Sequence, residues 1–328
     1  MKSIMFIPIS LILLLLFTCS PIEPDKTPTW NLCCTLPDSG VYRDIFFIDA
    51  DEGWLVEESD QIFHTSNGGA SWGLQNSGDF DLFTVHFLDK QYGWATGFCA
   101  AYYTIDGGTI WNYVNLVGYG IRTMPHSDKT FFIDRENILV FFHMNIGNDY
   151  VGVSRRTFDA DSAKFSWLSS HSFSYRLSSI TNVQSNIWVA DVNQNIHIST
   201  DGGENWSSRQ VTDSIGDDIS AINDIHFTDE QNGWFCSNTS VYHSNDGGEN
   251  WHYNATLPDS SLSRIYFQKN EGWVIGKKII YHSSDGGNSW EEQYRVGEGE
   301  KLVSLSFVNN SNGWALSESG NVYRYGAE

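Results

Sequence analysis

Basic residues are scarce in this chain: 19 lysines and arginines stand against 40 aspartates and glutamates, a formal net charge of −21. Such a surface repels both nucleic acid and anionic membrane, which excludes them as partners of the folded domain. Cysteine is also scarce. The five are Cys19, Cys33, Cys34, Cys99 and Cys236, and their spacing makes no metal pattern. Cys33 and Cys34 are adjacent and would point to opposite faces of a strand, while Cys99 and Cys236 fall in distant parts of the chain, so free thiols are expected. No segment repeats apolar residues at 3.6-residue spacing over a dozen positions, which excludes a helical solenoid. Ser-His-Asp nucleophile signatures, phosphate-cradling loops and His-x-x-x-His spacing are absent as linear motifs, so no catalytic residue, metal ligand or cofactor is expected.

Long apolar runs are missing as well, apart from one at the start. Lys2 is followed by Ile4 to Phe17, interrupted by Pro8 and Ser10, and then by Cys19. The run is too short for a spanning helix and reads as an export signal over residues 1–19. A cysteine directly after it resembles a bacterial lipoprotein signal, which implies that Cys19 becomes the lipidated first residue of the mature protein. Residues 20–29 hold three of the seven prolines and read as an extended tether. The expected location is the cell envelope, with the lipid as the only membrane attachment, at the outer membrane or surface if the cell is Gram-negative.

What the chain has in quantity is a repeat. Ser199-Thr-Asp201-Gly-Gly-Glu-Asn-Trp206 recurs at Asn67 to Trp72, Asp106 to Trp111, Asp246 to Trp251 and Asp285 to Trp290. A second landmark, Gly-Trp, keeps step with it at Trp54, Trp94, Trp234, Trp273 and Trp314, with Asn186-Ile187-Trp188 as a weaker copy. The spacing near 40 residues suits four-stranded propeller blades, and short runs rich in Ile, Val, Phe, Tyr and Trp separated by Asp-Gly and Gly-Gly turns read as antiparallel strands. Seven first strands are expected, around Ile45, Val85, Phe131, Ile180, Ile225, Ile265 and Leu305. The reading is an all-β fold: residues 30–328 as a single seven-bladed β-propeller, its last blade completed by a strand near Trp30 that closes the ring and removes an open edge.

The turn motif has a local physical meaning. Its acid or amide can accept bonds from N–H groups just ahead, the glycines supply positive φ, and the tryptophan returns between blades. Asn67, Asp106, Asp201, Asp246 and Asp285, with Trp72, Trp111, Trp206, Trp251 and Trp290, are therefore read as structural.

The pattern Ser/Thr-x-Asp/Asn-x-Gly-x-x-Trp resembles the Asp-box, or bacterial-neuraminidase repeat, of sialidase-like propellers. With the Gly-Trp landmark, the chain is most similar to the single-domain propellers grouped with the photosystem II stability and assembly factor. That resemblance implies a seven-bladed scaffold or binding protein and transfers no partner by itself.

A ligand of a propeller is sought over the central channel. Asp44, Thr84, Thr130, Ser179, Asp224, Arg264 and Ser304 fall at equivalent positions of the inner strands, with Arg43 beside the first. They could form a polar funnel for charged or hydroxyl-rich groups. A sialidase would need three converging arginines and a Tyr–Glu pair; only Arg43, Arg176 and Arg264 lie near inner strands, and Tyr42-Arg43-Asp44-Ile45 lacks the proline of the sialidase start. Asp44 and Asp224 are the one channel-side carboxylate pair a glycosidase could use. Blade three, about 118–170, breaks both landmarks and gathers Arg122, His126, His143, Tyr150, Arg155 and Arg156 in an otherwise acidic chain, suggesting a partner-binding edge. The reading is a monomeric, non-catalytic scaffold for a protein or peptide, with a glycan ligand possible; the alternative is a carbohydrate-active enzyme using the channel acids.

Overall fold

A computed structural model describes residues 28–37, 40–78, 80–97, 100–115, 130–132, 137–146, 148–159, 164–212, 219–259 and 261–326, chiefly as backbone between 130 and 170. Cys19, Cys99, Arg122, His126 and most of the tether lie outside the described residues; the tether's last residue, Thr29, already opens a strand.

The described strands pair into seven four-stranded antiparallel sheets. In chain order they cover 42–77 (sheet 1), 82–115 (sheet 2), 130–173 (sheet 3), 177–210 (sheet 4), 222–256 (sheet 5), 264–295 (sheet 6) and 302–326 (sheet 7), and Thr29–Thr35 joins sheet 7 as its fourth strand. Each sheet is a meander whose first strand holds the residue expected from sequence. First strands lie side by side around an axis, that of sheet 1 against both sheet 2 and sheet 7. The architecture is an all-β propeller with four-stranded antiparallel blades.

Burial follows from this arrangement. First strands alternate, as in Tyr42–Phe47, whereas second strands such as Gly53–Glu57 and Gly233–Ser237 are buried at every position because a sheet covers each of their faces. Between sheets the core is an aromatic sandwich. The landmark tryptophan of one sheet stacks on a phenylalanine of the next sheet's first strand in several places, among them Trp54 on Phe87 at 3.5 Å, Trp188 on Phe227 at 3.8 Å, Trp234 on Phe267 at 4.1 Å and Trp314 on Phe47 at 3.6 Å. The turn-motif tryptophan meets the same ring edge-on, as Trp251 meets Phe227 at 5.8 Å and Trp72 meets Phe47 at 5.8 Å. Each such pair is worth about 0.5–1.5 kcal/mol beyond the area it buries. The glycine before the stacked tryptophan is needed because the sheet's own phenylalanine lies against it; a Cβ on Gly53 would sit 2.6 Å from the Phe47 ring.

The two landmarks also bond to each other. Trp188 Nε1 donates to the Gly247 carbonyl at 2.8 Å, Trp234 to Gly286 at 3.0 Å and Trp314 to Gly68 at 2.9 Å, so the Gly-Trp of one sheet holds the turn of its neighbour. Inside the turn, Ser199 Oγ donates to Asp201 and accepts from Gly203 N–H, while Asp201 accepts from Asn205 N–H at 2.9 Å. Gly202 and Gly203 carry φ of 71° and 87°, which residues with a Cβ rarely adopt. Burial opposes the Asp201 charge, but the bonds from Asn205, Ser199 and Glu204 outweigh it and hold the carboxyl below its ordinary range.

Five sheets carry this turn; sheet 7, whose fourth strand is Thr29–Thr35, keeps only its Gly-Trp, and sheet 3 departs further. Its strands Asn137–Ile146, Asn148–Asp159 and Lys164–Phe173 run ten to twelve residues against the usual five or so, forming a long hairpin in which His143 faces Val151. The sheet runs on to Phe173, and Thr157-Phe-Asp159 belongs to a strand. Without the glycines nothing breaks the pairing there.

Candidate functional site at the channel mouth

The inner strands surround a cavity of about 300 Å³ whose lining includes Asp44, Thr84, Asp224, Arg264 and Ser304. Asp44 and Asp224 therefore share a cavity, as their equivalent positions suggest. Their oxygens are engaged in bonds between sheets. Asp44 accepts from Ser304 Oγ of sheet 7 at 2.6 Å and from Val85 N–H of sheet 2 at 3.1 Å. Asp224 repeats the arrangement, accepting from Ser179 Oγ of sheet 4 at 2.5 Å and from Ile265 N–H of sheet 6 at 2.9 Å. Each acid ties three successive sheets together, an arrangement that suits bridging rather than proton transfer. The next layer of lining is aromatic, with Phe46, His86, His226 and Tyr266. His226 donates from Nε2 to the Phe267 carbonyl at 2.9 Å, and burial pushes its imidazole below 6.5 against the pull of that carbonyl and of Asp224.

Arg43 does not belong to this lining, which corrects its expected place beside Asp44. The ladder shifts register between Tyr42 and Asp44, and the bulged Arg43 pairs with Glu58 and, at 3.9 Å, with Glu318. Bulges re-aim side chains, and an arginine re-aimed in so acidic a protein finds carboxylates.

The same bulge recurs in sheets 4 and 5, where it presents Ser178 and Asn223. There the outcome differs. Loops of sheets 4, 5 and 6 enclose a second cavity of about 580 Å³ lined by Arg176, Ser178, Ser220, Asn223, Asn238 and Arg264, among others. Arg264 lines both cavities and so stands between the second and the channel. Arg264 Nη1 donates to the Ser263 carbonyl at 2.8 Å, and neither it nor Arg176 is ion-paired to a carboxylate among the described residues. Ser178 Oγ is buried with no hydrogen-bond partner among those residues. The site thus offers two guanidinium groups, a buried hydroxyl and two amides to an anionic or carbonyl-rich group. Ser178 was not legible as a site residue, because only the bulge distinguishes it from an ordinary strand residue.

Tyr150, Arg155 and Arg156 lie on the strand Asn148–Asp159, with Arg156 opposite Ile138 and Trp167; their side chains, like that of His143, are outside the described residues. Cys33, Cys34 and Cys236 are free thiols. Cys33 and Cys34 do not alternate as expected: a register shift between Leu32 and Cys34 interrupts the strand, and both are half-buried. Burial raises the thiol pKa of both and takes that of buried Cys236 well above its ordinary value. Among the described residues no three His, Cys, Asp or Glu side chains gather as a metal ion would require.

Comparison with known proteins adds a family match over part of the chain, and a fold. Residues 217–297, which span sheet 5 and sheet 6, match the profile described as photosynthesis system II assembly factor YCF48. Among solved structures, one titled YCF48 bound to D1 peptide is 19% identical, with a TM-score of 0.72 over 94% of this chain and 100% of that one. YCF48 from Cyanidioschyzon merolae is 17% identical, with a TM-score of 0.69 over 91% and 98%. The WD40 propeller domain of Doa1 is 11% identical with a TM-score of 0.69 over 92% and 98%, so the likeness reaches propellers of other kinds. No curated protein matches the chain.

Proposed function

We propose that this chain is an exported, lipid-anchored assembly scaffold that binds a protein or peptide partner at the channel mouth and performs no chemistry in the channel. The observation that carries this reading is the mouth cavity, where Arg176, Arg264 and the unpartnered Ser178 hydroxyl face a space of about 580 Å³. In a chain of net charge −21, two arginines left without carboxylates are poised for a ligand's carboxylate. The match to an assembly-factor family and the neighbour titled as bound to a peptide support the same class of partner.

The finer reading is of seven blades in one ring, five of them bearing the Asp-box turn, closed by the N-terminal strand, tethered through residues 20–29 to a lipid on Cys19 and acting as a monomer in the cell envelope. The inter-sheet bonds of Asp44 and Asp224 weigh against a glycosidase, which needs one carboxyl free to donate a proton and another free to attack or to activate water.

The experiment is a screen of peptides with free or amidated C-termini against the purified domain, followed by titration of the best binder. Arg176→Ala combined with Arg264→Ala should weaken binding by about tenfold or more, the loss of roughly 1.4 kcal/mol expected when a charge-assisted contact goes. Unchanged affinity in that variant would remove the mouth cavity as the site.

A further inference from the structure

We propose that Ser208, on the outer strand of sheet 4, is a nucleophile that takes acyl groups from esters, with His197 as its base and Asp191 positioning that base. Sequence alone shows no such group, since the three residues sit on three different strands. The structure brings them into a chain: His197 Nε2 lies 3.2 Å from Asp191 Oδ2, and His197 Nδ1 lies 2.6 Å from Ser208 Oγ. Asp191 is 0% exposed and His197 4%, while Ser208 is open to solvent.

The protonation pattern follows from the partners. Asp191 also accepts from Asn193 N–H, Asn195 N–H and the Asn195 amide, and these bonds with His197, working against burial, hold its carboxyl below the ordinary range. A carboxylate only accepts, so His197 Nε2 carries the proton and Nδ1 presents a lone pair to the Ser208 hydroxyl. That is the geometry of an activated serine.

The repeat itself provides the control. His197 and Ser208 face each other across two strands. The same pair of positions holds Phe63 and Leu74 in sheet 1, Tyr102 and Tyr113 in sheet 2, Tyr242 and Tyr253 in sheet 5, Tyr281 and Glu292 in sheet 6, and Tyr323 and Leu32 in sheet 7. Packing at this place is met by an aromatic ring five times over. Sheet 4 replaces the ring with an imidazole, its neighbour with a hydroxyl, and supplies a buried carboxylate behind them.

A donor for the developing charge is also present. Val211 N–H donates inward to Gln194 O at 2.8 Å, and alternation along the paired strand then turns Arg209 N–H inward and Ser208 N–H outward from the sheet edge. An outward N–H on the nucleophile itself is suited to an oxyanion. In the reaction Ser208 Oγ bonds to the ester carbonyl carbon, its proton passes to His197 Nδ1, and the carbonyl–alkoxide bond breaks as the alkoxide takes that proton. Water then attacks the acyl-serine by the same path, returning serine and releasing the carboxylic acid.

The test treats the full folded protein with a fluorophosphonate probe and with p-nitrophenyl acetate, and maps adducts by peptide mass spectrometry. Ser208 should be modified far faster than its exposed neighbour Ser207, a comparison made within one protein and independent of any variant. Ser208→Ala should remove the adduct. His197→Phe, which restores the ring found in the other sheets, should keep the fold and slow labelling by about 100-fold, the lower end of what a general base contributes. The positioning role of Asp191 has a spectroscopic signature: 1H–15N spectra should place the His197 proton on Nε2, and Asp191→Asn should mix the tautomers. Labelling of Ser208 no faster than Ser207, an undiminished rate in His197→Phe, or a wild-type proton on Nδ1 would overturn the proposal.

Discussion

Trp314 Nε1 donates to the carbonyl of Gly68 at 2.9 Å, joining residues 246 positions apart and fastening the last sheet to the turn of the first. The indole is fully buried and stacks on Phe47 at 3.6 Å. Trp314→Ala should therefore cost about 3–5 kcal/mol, the range for deleting a large buried aromatic side chain. Urea unfolding measures the cost. A loss well under that range would mean that sheet 7 and sheet 1 separate without unfolding the rest.

The strand Thr29–Thr35 is the other half of that closure. It pairs with Asn321–Gly326 from Thr29 opposite Gly326 to Thr35 opposite Asn321, and buried Trp30 donates to Gln293 Oε1 of sheet 6 at 2.8 Å. A chain beginning at Pro28 should be as stable as the full domain, whereas one beginning at Leu36 should expose an unpaired edge and self-associate. Size-exclusion chromatography separates the outcomes, and a monomeric, equally stable product of the longer deletion would refute the role assigned to this strand.

How far the sequence speaks for itself depends on how local the cause is. The turn glycines, the Gly-Trp pairs and the first strands were legible because each copy obeys the same short-range sterics. Asp44 and Asp224 were legible as channel residues for the same reason, since equivalent positions in a repeat share an environment. What was not legible depends on bulges and on pairing across strands. One extra residue turned Arg43 onto Glu58 and Glu318, left Ser178 buried in the mouth cavity and broke the alternation of Cys33 and Cys34. His197 and Ser208, eleven residues apart, meet only because their strands pair in one register.

Asp224 makes a sharper test of the bridging role than any assay of catalysis. Replacing it with alanine leaves the buried Ser179 hydroxyl and the Ile265 N–H without their acceptor, at about 1–3 kcal/mol for each unsatisfied group. Asp224→Asn keeps one acceptor oxygen and should recover part of the loss. If instead Asp224→Ala left the melting temperature unchanged, the carboxylate would be free for another task and the channel acids would again be candidates for chemistry.

The histidines set the acid limit of stability. Burial depresses His226, His243 and His171 below 6.5, with His252 adding to the effect on His243 and His197 to that on His171. As pH falls through 6.5 the unfolded chain takes up these protons before the folded one does, so stability is full above that pH and declines below it until the folded imidazoles titrate. The slope approaches about 1.4 kcal/mol per pH unit for each such group. The carboxylates of Asp201, Asp246 and Asp285 are also shifted down, by hydrogen bonds to the charged form: their contribution is present above 3.8 and lost below it, leaving the interval between to the imidazoles. Phe46 holds in sheet 1 the place of His226 in sheet 5, each opposite its sheet's Gly-Trp tryptophan, so His226→Phe should fold. Lacking the bond to Phe267, the variant should be less stable than the wild type at pH 7.5, by about 1 kcal/mol for one hydrogen bond. The gap should close as urea unfolding is repeated toward pH 5.5, because the variant no longer pays for keeping that imidazole neutral. Parallel curves over the whole range would show that His226 is as free to protonate in the folded protein as in the unfolded one.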